Sequence, residues 1–213
     1  MPAHGAVADL GENVAKDLDE AWAEVQPAVV RRLMIAATQE FGARGYHATT
    51  TRDIARRAGL SATGVYVYFK SKEELLYRIS LIGHQQSLSR ITASVAGIPD
   101  PVERLRTMVS AFSAWHASYY VPARVIQYEL GALSEEHLAE IATLRRGIDT
   151  VVRETLEYGV ELGAFDVPNV GGAALALLSL GIDVSRWYRT DGALTPDAIG
   201  ALHADLAERM FRR

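Results

Sequence analysis

Residues 49–76 read TTTRDIARRAGLSATGVYVYFKSKEELL, and hydroxyls, guanidiniums and an ammonium recur there at spacings that suit a polyanion better than bond-breaking chemistry. Thr50 and Thr51 stand where hydroxyls and free amides can receive a phosphate. Arg52 beside them reaches either a phosphate or a guanine edge. Ser61, Ala62 and Thr63 follow a Gly-centred break, Tyr66, Val67 and Tyr68 place two phenols around an aliphatic side chain, and Lys72 adds a cation. Local charge agrees with this chemistry. Residues 27–80 carry +5, between −5 over residues 1–26 and −4 over residues 81–213, so the net charge of −4 conceals a basic module. Local charge governs the meeting with a phosphate, because salt screens interactions beyond roughly 8 Å.

The elements that must position these groups read as helix throughout, with no alternating strand pattern, which makes the fold class all-α. A first helix starts near Pro27, buries Val30, Leu33, Met34, Ala37 and Phe41, and ends at Gly42 and Gly45. Thr50 with Asp53 forms a capping box for a short second helix whose Ile54, Ala55 and Ala58 face inward. Gly59 supplies the left-handed turn, Leu60 fills the space between the helices, and Ser61 caps a third helix. Ser71 with Glu74 opens a longer fourth helix. Later helices are expected at about 101–119, 122–133, 135–162 (closed by Gly163), from Val170, and from Thr195-Pro196 to the end. Two short helices joined by Ala58-Gly59-Leu60-Ser61 fit a helix-turn-helix, whose second helix enters the major groove.

The same string resembles the DNA-binding signature of TetR-family transcriptional repressors. That pattern runs Thr-x-x-Ile-Ala, Ala-Gly-Val-Ser, Leu-Tyr-x-Tyr/His-Phe and Ser/Asn-Lys-Glu-x-Leu. The chain supplies Thr51, Ile54, Ala55, Ala58, Gly59, Ser61, Tyr66, Tyr68, Phe69, Ser71, Lys72, Glu73 and Leu75 in register. The resemblance implies phosphate contacts by Thr51, Ser61, Tyr66 and Lys72, and base or mixed contacts by Arg52, Ala62, Thr63, Val67 and Tyr68. Thr63-Gly64 departs from the family's usual order. Val67 can touch a thymine methyl but cannot hydrogen-bond a base. Arg56 and Arg57 read equally well as a solvated face.

The resemblance further implies three regions: an acidic extension over 1–26, a DNA-binding head over 27–74, and a ligand-binding and dimerisation domain over 75–213. Its expected partners are double-stranded palindromic DNA, a small-molecule inducer and a second copy of the chain held through the last two helices. The small residues from Gly171 to Ala176, with Ile199, Leu202, Leu206 and Met210, suit such a seam, and a buried internal helix is the competing interpretation. The candidate ligand set is Met108, Phe112, Trp115, Tyr119, Arg124, Gln127, Tyr128, Arg145, Asp183, Arg186 and Trp187. Apolar side chains with a few arginines suit an acyl chain bearing phosphate or carboxylate. Each aromatic alone reads better as core, and Asp183 with Arg186 also reads as an ion pair one turn apart. The ending SRWYRTDGALTPDAIGALHADLAERM resembles actinobacterial members that respond to acyl-CoA thioesters of fatty-acid or sterol catabolism, which places acyl-CoA first among inducers and Arg186 first among sensing side chains. A drug or antibiotic, or a ligand-independent DNA-binding dimer, is the alternative.

An enzyme is disfavoured. Cysteine is absent, the six histidines lack metal-ligand spacing, and there is no Glu-x-x-His pair, phosphate loop or nucleophile elbow. No cofactor is expected. The first residues lack the basic start and apolar core of a signal peptide, and the longest uncharged apolar run, 170–182, is shorter than the ~20 residues of a membrane helix. A cytoplasmic protein without a membrane partner is the expectation.

Overall fold

A computed structural model describes residues 18–212. The acidic extension therefore lies largely outside the described residues, and only its end is seen, with Leu18 and Trp22 buried and Asp19 Oδ1 2.9 Å from Arg31 Nε. Among the described residues there is no β-strand, only an isolated bridge between Phe165 and Arg212. The helices are α1 (Ala28–Arg44), α2 (Thr51–Arg57), α3 (Ala62–Tyr66), α4 (Lys72–Val95), α5 (Pro101–Ser118), α6 (Tyr120–Glu129), α7 (Glu135–Glu161), α8 (Val170–Trp187) and α9 (Pro196–Phe211), with a 3-10 turn at Leu130–Ala132.

Local chemistry sets most of the boundaries. Asp100, Asn169 and Thr195 cap α5, α8 and α9 by accepting backbone N–H bonds, and Pro101 and Pro196 occupy first turns, where the missing N–H costs nothing. Two expected boundaries shift. α1 continues through Gly42 to Arg44, because the break is made by Gly45, at φ 80°. α6 starts at Tyr120 and not at Pro122, which fits inside its first turn, and α6 ends at Glu129 with the 3-10 turn following.

The chain divides into two compact units. Among the described residues, the first comprises 18–83 together with Val121–Leu138, so a segment that the sequence groups with the ligand-binding half packs in the same unit as the helix-turn-helix. The second comprises His84–Tyr120 and 139–212. Its core joins Ile91 of α4, Leu105, Met108 and Phe112 of α5, Val152 and Leu156 of α7, Leu177 of α8 and Phe211 of α9, with Phe165 between α7 and α8. Glycine permits the closest helix approaches here. A Cβ on Gly181 would stand 2.4 Å from the Phe112 ring, and one on Gly200 would stand 2.7 Å from the Ser110 carbonyl oxygen.

Polar groups buried in this unit include His116, His203, Ser113 and Thr155. His116 Nδ1–H donates to the Phe112 carbonyl at 2.8 Å, and His203 Nδ1 pairs with Ser113 Oγ at 2.9 Å. Burial pushes the His116 imidazole down to about 4, the Phe112 bond opposes this, and His84 adds to the depression; burial also lowers His203. The unfolded chain takes up a proton near the ordinary value of 6.5, whereas folded His116 resists until about 4. Stability from this residue is complete above about 6.5 and is lost as pH falls towards about 4, amounting to about 3 kcal/mol by the ~1.4 kcal/mol equivalence of one pKa unit. Urea denaturation across that window should show the decline, and His116→Gln should flatten it. An equally steep decline in the variant would exclude His116 as the source.

Candidate nucleic-acid interface

Within the first unit, α1 and α2 are joined by charge. Glu40 is 5% exposed and accepts from Arg57 Nε at 2.6 Å and from Arg44. Arg44 also reaches Asp53 at 3.1 Å, and Arg56 pairs with Asp53 at 2.8 Å. Arg57 thus braces α2 against α1, whereas Arg56 lies on a solvated face and pairs with Asp53 of its own helix. Asp53 completes the expected capping box: its amide donates to Thr50 Oγ1 at 3.2 Å, and its carboxylate receives the Thr50 amide at 3.0 Å. The Thr50 hydroxyl and amide, then Arg44, hold the Asp53 carboxyl well below the usual carboxylate range.

The turn into α3 forms as expected. Gly59 adopts φ 68°, Leu60 N–H donates to the Ala55 carbonyl at 2.9 Å, and Ser61 Oγ accepts the Gly64 amide at 3.1 Å. Ile54, Val65 and Phe69 fill the interior of the head. The outer face carries Tyr66, Val67 and Tyr68, which are 55%, 74% and 42% exposed. Large apolar side chains left in solvent as a contiguous group mark a surface that meets something else. Thr51 Oγ1 lies 3.1 Å from Tyr66 Oη, so two candidate phosphate contacts from different helices converge. Arg52 is exposed beside them, Ser61 Oγ and Thr63 Oγ1 pair at 3.0 Å, and Ala62 is half-buried.

Lys72 is placed differently from its neighbours. Its ammonium donates to the Tyr46 carbonyl at 2.6 Å and the Thr49 carbonyl at 2.8 Å, and sits 4.0 Å from the centre of the Tyr46 ring. At the start of α4, Ser71 Oγ accepts the Glu74 amide at 3.0 Å, while Glu74 reaches back to the Lys70 amide and not to Ser71.

The candidate ligand residues fall in both units. Arg124, Gln127 and Tyr128 belong to the first unit; Met108, Phe112, Trp115, Tyr119, Arg145, Asp183, Arg186 and Trp187 belong to the second. Met108 and Phe112 are core. Arg186 is exposed and spans Asp183 with Nε at 2.7 Å and Nη2 at 3.0 Å, the ion pair that the spacing allowed, while Trp187 is exposed beside it. Trp115 and Tyr119 line a cavity of about 570 Å³ with Ser110, Ala204 and two arginines, Arg90 and Arg106. The two arginines carry no local sequence signal. Arg106 is held by Asp205 at 2.6 Å and Glu208 at 2.5 Å, acids about a hundred residues away in sequence.

Comparison with known proteins agrees with this geometry. The family model for bacterial regulatory proteins of the TetR family matches residues 33–79, and that for the tetracyclin repressor-like C-terminal domain matches residues 99–211. The chain belongs to the TetR family. A TetR-family regulatory protein from Rhodococcus RHA1 is 44% identical, with TM-score 0.82 over 87% of this chain and 97% of that one. The transcriptional repressor KstR2 of Rhodococcus jostii is 33% identical over 172 residues, 78% of this chain and 82% of KstR2. The structure of the ketosteroid transcriptional regulator KstR2 of Mycobacterium tuberculosis is 25% identical with TM-score 0.81, over 89% and 97% of the two chains. These TetR relatives are transcriptional regulators, and the chain is a helix-turn-helix regulator of that kind.

Removing the carboxylate at the centre of the head tests its ion pairs. Glu40→Ala should destabilise the first unit by about 2 kcal/mol, less than a fully buried pair because both arginine partners are about 40% exposed. Urea denaturation followed by hydrogen exchange in α1 and α2 would measure it. A loss below about 0.5 kcal/mol, the scale of an ordinary surface change, would show that Glu40 does not hold the head.

Proposed function

We propose that the protein is a ligand-responsive repressor whose dimer holds a palindromic operator and is released by an amphipathic anion, with an acyl-CoA thioester first in rank. The observation that carries the DNA half is the exposed Tyr66-Val67-Tyr68 face within residues 27–80, which carry +5. Thr51, Ser61 and Tyr66 are assigned to the phosphate side and Arg52, Ala62, Thr63, Val67 and Tyr68 to bases or mixed contacts, while Lys72, expected among the phosphate contacts, has its ammonium engaged by the Tyr46 and Thr49 carbonyls. Because Val67 offers no hydrogen bond, discrimination rests on Arg52, Thr63 and the phenols.

Dimerisation through α8 and α9 is supported by apolar side chains left in solvent on both: Leu175 on α8, and Leu202, Leu206 and Met210 on α9. By length and composition α8 is apolar enough to cross a membrane, yet only 28% of it is buried within the chain, which suits a helix that a second copy covers. A cytoplasmic, DNA-bound location follows from this function. Two-fold symmetry would present two recognition helices to successive major grooves and so require a palindrome.

The ligand half is supported by the cavity. Its size lies in the range of small-molecule sites, and its open wall sets Trp115 and Tyr119 beside polar groups that include Ser118 and Asp197, with Arg90 and Arg106 supplying cations that a phosphate-bearing ligand requires. KstR2 of M. tuberculosis is a ketosteroid transcriptional regulator, which suits an acyl-CoA of sterol origin as the ligand here. Ligand binding lowers DNA affinity only by the difference in its affinity for the two head arrangements. α4 runs without interruption from the head into the second unit and is the element expected to carry that difference.

Arg52→Ala and Tyr66→Ala should each weaken operator binding about tenfold or more, with fold and dimerisation retained. Unchanged binding in both would count heavily against the head assignment. Gel shift of the protein's own upstream DNA with and without long-chain acyl-CoA tests the ligand. Release by acyl-CoA, blunted in Arg106→Gln, is the expected result; retention against a broad acyl-CoA panel would favour another inducer or none.

A further inference from the structure

The loop between α1 and α2, residues 45–50, is short and leads directly into Thr51, the first residue of α2. It is held by bonds within itself, including the Thr49 amide to the Tyr46 carbonyl at 3.2 Å, and by bonds from distant elements. Thr49 is 1% exposed, and its hydroxyl donates to the Gly45 carbonyl at 2.8 Å and approaches the Glu40 carbonyl at 3.1 Å. The carbonyls of Tyr46 and Thr49 are both taken by Lys72. The Tyr46 amide donates to Glu129 Oε1 at 3.1 Å, a partner 83 residues away at the end of α6. Glu129 also lies near enough to Lys72 to oppose the lowering of its ammonium by burial.

We propose that Lys72 and Glu129 are positioning residues for DNA binding, which together clamp loop 46–49 and thereby fix where α2 begins. The inference rests on the DNA-binding function of the head. Its novelty lies in the two roles. Lys72 spends two of its three N–H donors on carbonyls, so its main effect on DNA is exerted through Thr50 and Thr51. Glu129 lies outside the 33–79 region matched to the DNA-binding family, yet it sets that region's geometry. The same segment is fastened a second time on α4: Glu73 Oε1 accepts from the Ser134 amide at 3.0 Å and from His137 Nδ1 at 2.7 Å, and the His137 ring stacks on Tyr77 at 3.7 Å and 7°. Anything that draws the end of α6 away therefore pulls directly on the Tyr46 amide and on the first turn of α4.

The test uses the full-length protein and a DNA duplex enriched from a random library by the wild-type chain, with affinity measured across a salt series. A phosphate contact contributes about 0.9 to the slope of log K against log salt, whereas a positioning residue lowers affinity and leaves the slope in place. Glu129→Ala should weaken binding about tenfold, as expected for a lost charge-assisted bond, with the slope unchanged. Glu129→Gln, whose amide oxygen can still accept the Tyr46 N–H, should restore most of it. Lys72→Met should behave like Glu129→Ala. Wild-type affinity in Glu129→Ala overturns the proposal, and so does a slope in Lys72→Met that falls by about 0.9. Amide exchange gives a second readout: slow exchange of the Tyr46 amide in wild type and in Glu129→Gln, with faster exchange over residues 46–53 in Glu129→Ala, supports the clamp. A fast-exchanging Tyr46 amide in wild type overturns it. Failure of the wild-type chain to enrich any duplex would instead sink the DNA-binding function itself.

Discussion

The buried carboxylate of Glu40 is the constraint on which the head depends. A charge at that depth is tolerated only with partners, and its partners come from two places: Arg44 one turn along α1, and Arg57 at the end of α2. Satisfying Glu40 therefore fixes the packing of α2 on α1. Once α2 is fixed, Asp53 can serve both Thr50 and the arginines, Gly59 can turn the chain, and Val65 and Phe69 can close the interior beneath α3. The outward face is what remains after these demands are met.

This order of demands explains an apparent oddity of the head. Its positive charge would seem to be its means of meeting DNA, yet Arg44, Arg56 and Arg57 are engaged with acids inside the module. Such arginines still contribute to the field at the surface, which steers a polyanion towards it. The groups left facing outward include hydroxyls, phenols, Arg52 and Lys70. In the proposed role, long-range attraction and short-range recognition would fall to largely separate side chains.

The second unit shows a comparable separation. Burial lowers the His116 and His203 imidazoles, because it removes the water that would stabilise their charge. Charge is confined to the cavity and the surface, where Arg106 is already balanced by Asp205 and Glu208. Arg106 and Arg90 share the wall of one cavity with Trp115 and Tyr119.

What was legible in the sequence depended on distance along the chain. The Thr50–Asp53 box, the Gly59 turn, the Ser61 cap and the Asp183–Arg186 pair were all readable, because each joins residues within one helical turn, where covalent geometry already brings them together. The all-α class was readable for the same reason, since helical periodicity is a local property. Tertiary structure alone decided that Arg57 belongs to Glu40, that Arg90 and Arg106 line one cavity, and that Glu129 holds the Tyr46 amide. A hydrophobic period states which face of a helix is buried but not what covers it, and a charged side chain carries no mark of its partner. The sequence by itself determined a helical DNA-binding head and its candidate contacts. Packing decided which of those charges became braces, because only packing brings distant residues within reach of one another's hydrogen bonds.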